Sequence, residues 1–183
     1  MTEDDLLDKD NFPTWIFHLL ERLQMDYSLS QDELTRLRKS SHKYFAAALH
    51  WRAWEAAHDK WNVVHACSLL RQAGMPRKAV KLLNSVDTSS WTATIGSAFF
   101  TTLGGAQRDA GSLQHARSSA EAALVLLDNK PHPYLLLGAL CYQQNKHSEG
   151  DLYFSKARER GATEKDIEFT VREAESRRSR ADN

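Results

Sequence analysis

The residues best equipped for chemistry in this chain are its eight histidines and two cysteines. His42, His50 and His58 recur at eight-residue steps, on one side of a helix. A helix chelates a metal through ligands one turn apart, and a step of two turns is too long for successive residues to share an ion. The spacing therefore predicts solvated or packing histidines. Cys67 and Cys141 stand apart with no CxxC, and read as buried free thiols of a reducing compartment. There is no HExxH, no Walker loop, no GxSxG and no GxGxxG. Gly104-Gly105 lies inside a helical pattern, where close packing explains it better than phosphate binding. The expectation is a chain without enzymatic activity, metal or cofactor.

Charge and aromatic residues offer a second kind of chemistry. The formal charge is zero over 183 residues, yet it is unevenly spread. Residues 1–33 hold nine acids against Lys9 and Arg22, whereas residues 34–81 hold ten bases against Glu55 and Asp59. An acidic lead folding back near a basic block accounts for this, and a basic binding face is the sharper alternative. Trp51, Trp54 and Trp61 interleave with Arg52 and Lys60. Tryptophans at helical spacing belong in a core or an interface. Together with the basic block and Arg177, Arg178 and Arg180 they could also stack on single-stranded nucleic acid. Against that use stands the zero net charge, since a dedicated nucleic-acid binder is usually basic.

These residues must be carried by helices, because helical periodicity runs nearly throughout and no strand pattern stands out. The apolar fraction of 42% suits a soluble globular protein. A first amphipathic helix is expected from about Phe12 to Tyr27, with Pro13 in its first turn and Trp15, Leu19, Leu20 and Leu23 on one face. Ser30-Gln31-Asp32-Glu33 is a capping box that starts a short second helix carrying Leu34 and Leu37. A third spans about 41–58. Pairs follow at 61–73 with 76–86, 92–109 with 112–127, and 133–144 with 147–160, turning at Gly74, Gly111 and Asn145. Thr163 to Asp166 caps a last helix, 165–178. No signal-peptide pattern follows Met1, and the longest apolar run, Tyr134 to Tyr142, is about half a membrane span. A cytoplasmic protein is expected.

The chain also superimposes on itself at 34 residues. Leu103-Gly104 recurs as Leu137-Gly138, Phe100 as Tyr134, Ala116 as Gly150, Ala120 as Phe154 and Ala123 as Ala157. A fixed period of this length marks stacked units that share a core. The pattern resembles the tetratricopeptide repeat family over residues 60–162, best in the third unit (Tyr134, Leu137, Gly138, Cys141, Gly150, Phe154, Ala157). The first unit (Val63, Ala66, Cys67, Leu70, Gly74, Ala79, Leu83) is offset by 37 residues, because Asp87 to Ser90 lengthens the connection. The closing proline of the family is absent from all three.

The resemblance implies an all-α solenoid of antiparallel helix pairs. It divides the chain into an N-terminal helical extension (1–59), repeats with a capping helix (60–178) and a disordered tail (179–183). It also implies a concave groove lined by the first helix of each repeat. Carried over, the groove residues are Trp61, Ala98 and His132, then Arg71, Arg108 and Tyr142, then Gln72, Asp109 and Gln143. The expected partner is a protein segment, acidic or C-terminal, held by an arginine and tyrosine ladder. The alternative for Arg71 and Arg108 is a cation meeting a helix C-terminus. Val64, Ser68, Thr101 and Gly105 occupy the places where some members carry the Lys and Asn of a carboxylate clamp. An adaptor, scaffold or chaperone-like module is the expectation, with nucleic-acid binding through 34–81 as the alternative. The sequence leaves the oligomeric state open.

Overall fold

The computed structural model describes residues 14–24 and 29–181. Among these residues the chain forms ten helices and no strand. It divides into two compact units, one ending at Met75 and the other beginning at Pro76. The sequence-based boundary at 59/60 lies inside the first unit.

The first unit contains α1 (Thr14–Gln24), α2 (Gln31–Lys39), α3 (Lys43–Ala57) and α4 (Lys60–Gln72). Pro13, Tyr27 and the side chains of Leu20 and Leu23 lie outside the described residues. Trp15 is half-buried, with the Arg36 guanidinium 4.1 Å from its ring centroid. The capping box forms as expected. Ser30 Oγ accepts from the Glu33 amide at 3.3 Å, and Glu33 Oε2 accepts from the Ser30 amide at 2.8 Å. These bonds satisfy amide donors that a helix start leaves unpaired. Leu34 and Leu37 are buried, and α2 packs on α3. α3 ends in His58 at φ 52°, a left-handed residue that reverses the chain. Asp59 then caps α4, which packs along α3. Ala46, Ala47, Ala48 and Ala53 of α3 are all buried, so this helix is covered on more than one side.

The second unit contains α5 (Pro76–Asn84), α6 (Ala93–Asp109), α7 (Leu113–Leu126), α8 (Pro131–Gln143), α9 (His147–Glu159) and α10 (Glu164–Ala181). α6 with α7 and α8 with α9 are antiparallel hairpins, and α7 and α6 both pack on α8. The 34-residue period is visible in the turns. Gly111 (φ 88°) closes α6 with bonds from the Ser112 amide to the Gln107 carbonyl and from the Gly111 amide to Arg108. One period later Asn145 (φ 60°) closes α8 with bonds from Lys146 to Cys141 and from Asn145 to Tyr142. The positive φ explains glycine and asparagine at these positions.

The helix contacts repeat likewise. A Cβ on Gly104 would meet the Ala116 carbonyl at 2.9 Å, and one on Gly150 would lie 3.3 Å from the Gly138 carbonyl. These are the same two positions one period apart. Small residues are needed there because the backbones of each hairpin nearly touch. Phe154, Tyr134, Ala157, Ala162 and Ile167 fill the adjoining core, so α10 is sealed onto α8 through Ile167 and Val171. α10 runs to Ala181, three residues beyond its expected end, so residues 179–181 are helical instead of a frayed tail. Among the described residues no helix is long and apolar enough to cross a membrane.

Candidate functional site

α4 is buried on most of its circumference, with Asn62, Val63, Val64, Ala66, Cys67, Leu69 and Leu70 all inaccessible. The remaining stripe holds Trp61, His65, Ser68, Arg71 and Gln72. Trp61, His65, Ser68 and Gln72 follow three- and four-residue steps and so share one face. Trp61 is 38% exposed and Gln72 is exposed, while His65, Ser68 and Arg71 are half-buried. Arg71 is engaged in contacts of its own.

Trp61 is held by what lies beneath it. Its ring stacks on His65, centroids 6.0 Å apart at 24°. Arg38 of α2 donates to His65 Nε2 at 2.7 Å and to Thr35 Oγ1 at 3.0 Å. His65 in turn meets the fully buried His50 edge-on at 5.4 Å. His50 Nδ1 donates to Asn62 Oδ1 at 2.7 Å, and Asn62 Nδ2 to Asp59 Oδ2 at 3.4 Å. Burial, with the Arg38 charge adding to it, depresses the His65 pKa to about 4. Burial also lowers that of His50, against a weaker upward pull from Asn62. Both imidazoles are therefore neutral near pH 7, which His65 must be to accept from a guanidinium. The column from Arg38 to Asp59 is a structural support.

His42 and His58 sit at opposite ends of α3 and His50 in its buried middle, so the three do not converge. Among the described residues no group of three or more His, Cys, Asp or Glu side chains could hold a metal. Trp51 and Trp54 are half-buried. The Trp51 indole donates to Glu55 at 2.8 Å, and Trp54 meets His58 edge-on at 5.3 Å. Burial lifts the Cys67 thiol to about 12. Burial also raises that of Cys141, whose Sγ lies 3.3 Å from Arg117 Nη2.

In the second unit the carried-over groove positions are arranged differently from an open ladder. Arg108 is only 10% exposed and its Nη2 donates to Asp109 Oδ1 at 3.3 Å; Asp109 is 9% exposed. The same carboxylate oxygen accepts from Arg177 Nη2 at 3.3 Å. Tyr142 turns toward α9, where its ring fills the space left by Gly150 and its hydroxyl donates to Asp151 at 2.6 Å. That hydrogen bond, with burial, raises the tyrosine pKa to about 12. Gln143 Oε1 is buried without a hydrogen bond. His132 is exposed at the start of α8, and Ala98 is half-buried on α6. The structure thus brings Arg108 and Asp109 together, gives Tyr142 a packing role and leaves His132 apart.

Sequence reasoning named Arg177 and the basic block that holds Arg38 only as possible nucleic-acid contacts, and passed over His65. For Arg177 a signal existed, because Asp109, Gln143 and Arg177 fall at successive 34-residue steps. The roles of Arg38 and His65 depend on contacts 27 residues apart, which no local pattern carries. Compared with known proteins, the chain matches no protein-family model and no curated protein sequence.

Proposed function

We propose that the chain is a tetratricopeptide-like, non-catalytic scaffold that binds a segment of another protein. The observation that carries this reading is the α4 stripe. An exposed tryptophan stacked on a histidine that an arginine fixes from behind loses little freedom when a partner covers it. Aromatic anchors of this kind dominate protein interfaces. Gln72 extends the same face by three turns and offers amide hydrogen bonds. The recurrence of the Gly104–Ala116 and Gly138–Gly150 contacts supports the repeat reading, since these motif residues are used in packing.

The basic block favours a protein partner over nucleic acid. Arg36 covers the Trp15 ring, Arg38 bonds His65 and Thr35, and Lys43 donates to the Arg38 carbonyl. Cations with internal duties contribute less to a phosphate-binding surface. Site-specific photocrosslinking tests the reading. A crosslinker at position 72, in the chain expressed in its native cells, should trap a discrete protein that one at the exposed Glu121 does not. Crosslinks to RNA alone, or the same products from both positions, would refute it.

A further inference from the structure

Asp109, Gln143 and Arg177 stand one period apart, in the last turns of α6 and α8 and near the end of α10. Arg177 crosses to α6 and donates from Nη2 to Asp109 Oδ1 at 3.3 Å, with Glu173 at 3.6 Å on its own helix. Its neighbour Arg178 donates from Nη1 to Asn145 Oδ1 at 3.0 Å and lies 3.3 Å from His147 Nε2. Asn145 Oδ1 also accepts from His147 Nε2 at 2.9 Å, so that ring nitrogen carries its proton and is only a neighbour of Arg178. The acceptors under the end of α10 are therefore Asp109 and Asn145, and the chain's own guanidinium groups, Arg108 among them, occupy them.

The two parts of α10 are held by different forces. Ile167 and Val171 belong to the apolar core, and Ala174 is fully buried. Past Ala174, residues 175, 176, 179 and 180 are exposed, and the contacts of Arg177 and Arg178 tie this end down. The fit is also incomplete. Gln143 Oε1 is a buried acceptor without a donor, and Arg177 Nε is a buried donor without an acceptor. Buried groups left unpaired make a junction weaker than one in which both are satisfied. A guanidinium offers several donors to acceptors of this kind. Its planar fork suits this geometry, whereas a lysine presents a single point of charge.

We propose that Asp109 and Asn145, with Gln143 between them in the 34-residue register, form a guanidinium-binding site, filled in cis by Arg177 and Arg178 beside Arg108, which exchanges Arg177 and Arg178 for an arginine-bearing segment of another protein. The site belongs to the second unit and the Trp61 stripe to the first, and they share no residue, so either can fail without the other. Because the cis arginines are tethered, they compete at a high effective concentration, and the intact chain binds an arginine segment weakly. Removing Arg177 and Arg178 vacates their places while Arg108 stays on Asp109, and exposes the affinity of those places.

The test uses the full-length chain, wild type and Arg177→Ala/Arg178→Ala, with a fluorescein-labelled peptide carrying residues 164–181 as probe. The double variant should bind the probe at least tenfold more tightly than wild type by anisotropy. Adding Asp109→Asn should abolish the gain, and a probe with glutamine in place of Arg177 and Arg178 should not bind. Circular dichroism verifies folding. Should the alanine variant fail to fold, Arg177→Lys, which keeps the charge without the fork, should show the same direction of effect. Equal binding by wild type and variant, or binding of the glutamine probe, would overturn the proposal. Preference for a glutamate-rich peptide would overturn the ligand class. A concentration-dependent dimer lost on Asp109→Asn would assign the exchange to a second copy and overturn a separate partner.

Discussion

Gly138 is the position where the packing argument can be worked through most fully. A Cβ there would lie 2.7 Å from Phe154 Cδ1 and 2.8 Å from Cζ. Phe154 is 3% exposed and hemmed in by Tyr134, Ala157 and Ile167, so the ring has nowhere to go. Alanine in a helix interior gains about 1 kcal/mol over glycine in propensity. Overpacking a filled core costs about 1–3 kcal/mol. With ring atoms under 3 Å that cannot retreat, the cost falls in the upper part of that range, about 2–3 kcal/mol, so Gly138→Ala should lose roughly 1–2 kcal/mol net and Gly138→Leu about 3 kcal/mol or more. Gly150 provides the contrast. Its Cβ would lie 2.7 Å from Tyr142 Cε2, but Tyr142 is half-buried and can swing outward at the cost of one hydrogen bond to Asp151. Gly150→Ala should stay within about 1 kcal/mol of wild type. Urea unfolding followed by circular dichroism gives all three values. A Gly138→Ala variant as stable as wild type, or a larger loss from Gly150→Ala, would refute the assigned helix register.

The neutral histidines make stability depend on pH. The fold holds His65 near 4 against an ordinary 6.5, so the unfolded chain binds more protons in between. Stability should be full above about pH 6.5, decline as pH falls toward 4 and level off for this group below it, by up to about 3 kcal/mol. His65→Gln should remove that part of the slope in urea titrations between these pH values, and an unchanged slope would contradict the assignment. Cys67, with its thiol lifted to about 12, exposes on the order of one ten-thousandth of its molecules as thiolate at pH 8. A water-soluble alkylating reagent should modify it only upon unfolding, and rapid native-state labelling of both Cys67 and Cys141 would contradict their burial. Replacing Asp59 by alanine removes the α4 cap and a contact to Asn62, and should lower the melting free energy by about 1 kcal/mol. No change in thermal unfolding would show that the cap carries no weight.

The helices were largely legible in the sequence because their ends are set locally. Ser30 with Glu33, Gly111 and Asn145 are short-range signals, and each sits at the helix end it announces. The 34-residue spacing of small residues also survives into three dimensions as repeated close contacts. The site was less legible. A repeat position fixes which helix a residue occupies, but its side chain answers to its neighbours. Tyr142 turns away because Gly150 leaves a gap beside it, and Arg108 finds a carboxylate on the adjacent residue. Arg177 pairs with a residue 68 positions earlier, a pairing that only the stacking of α6, α8 and α10 creates. Trp61 and Gln72 are exposed on the same stripe, Trp61 with one ring face resting on His65.

The central claim is that the Trp61 stripe is a protein-binding surface, and the affinity of Trp61→Ala for the protein trapped at position 72 tests it directly. Trp61 is exposed enough that its loss should shift thermal stability little, whereas removal of a buried interface tryptophan costs at least about 2 kcal/mol of binding. Calorimetric titration should therefore show an affinity reduced by tenfold or more, with the melting temperature nearly unchanged. Equal affinities for Trp61→Ala and wild type would contradict the account.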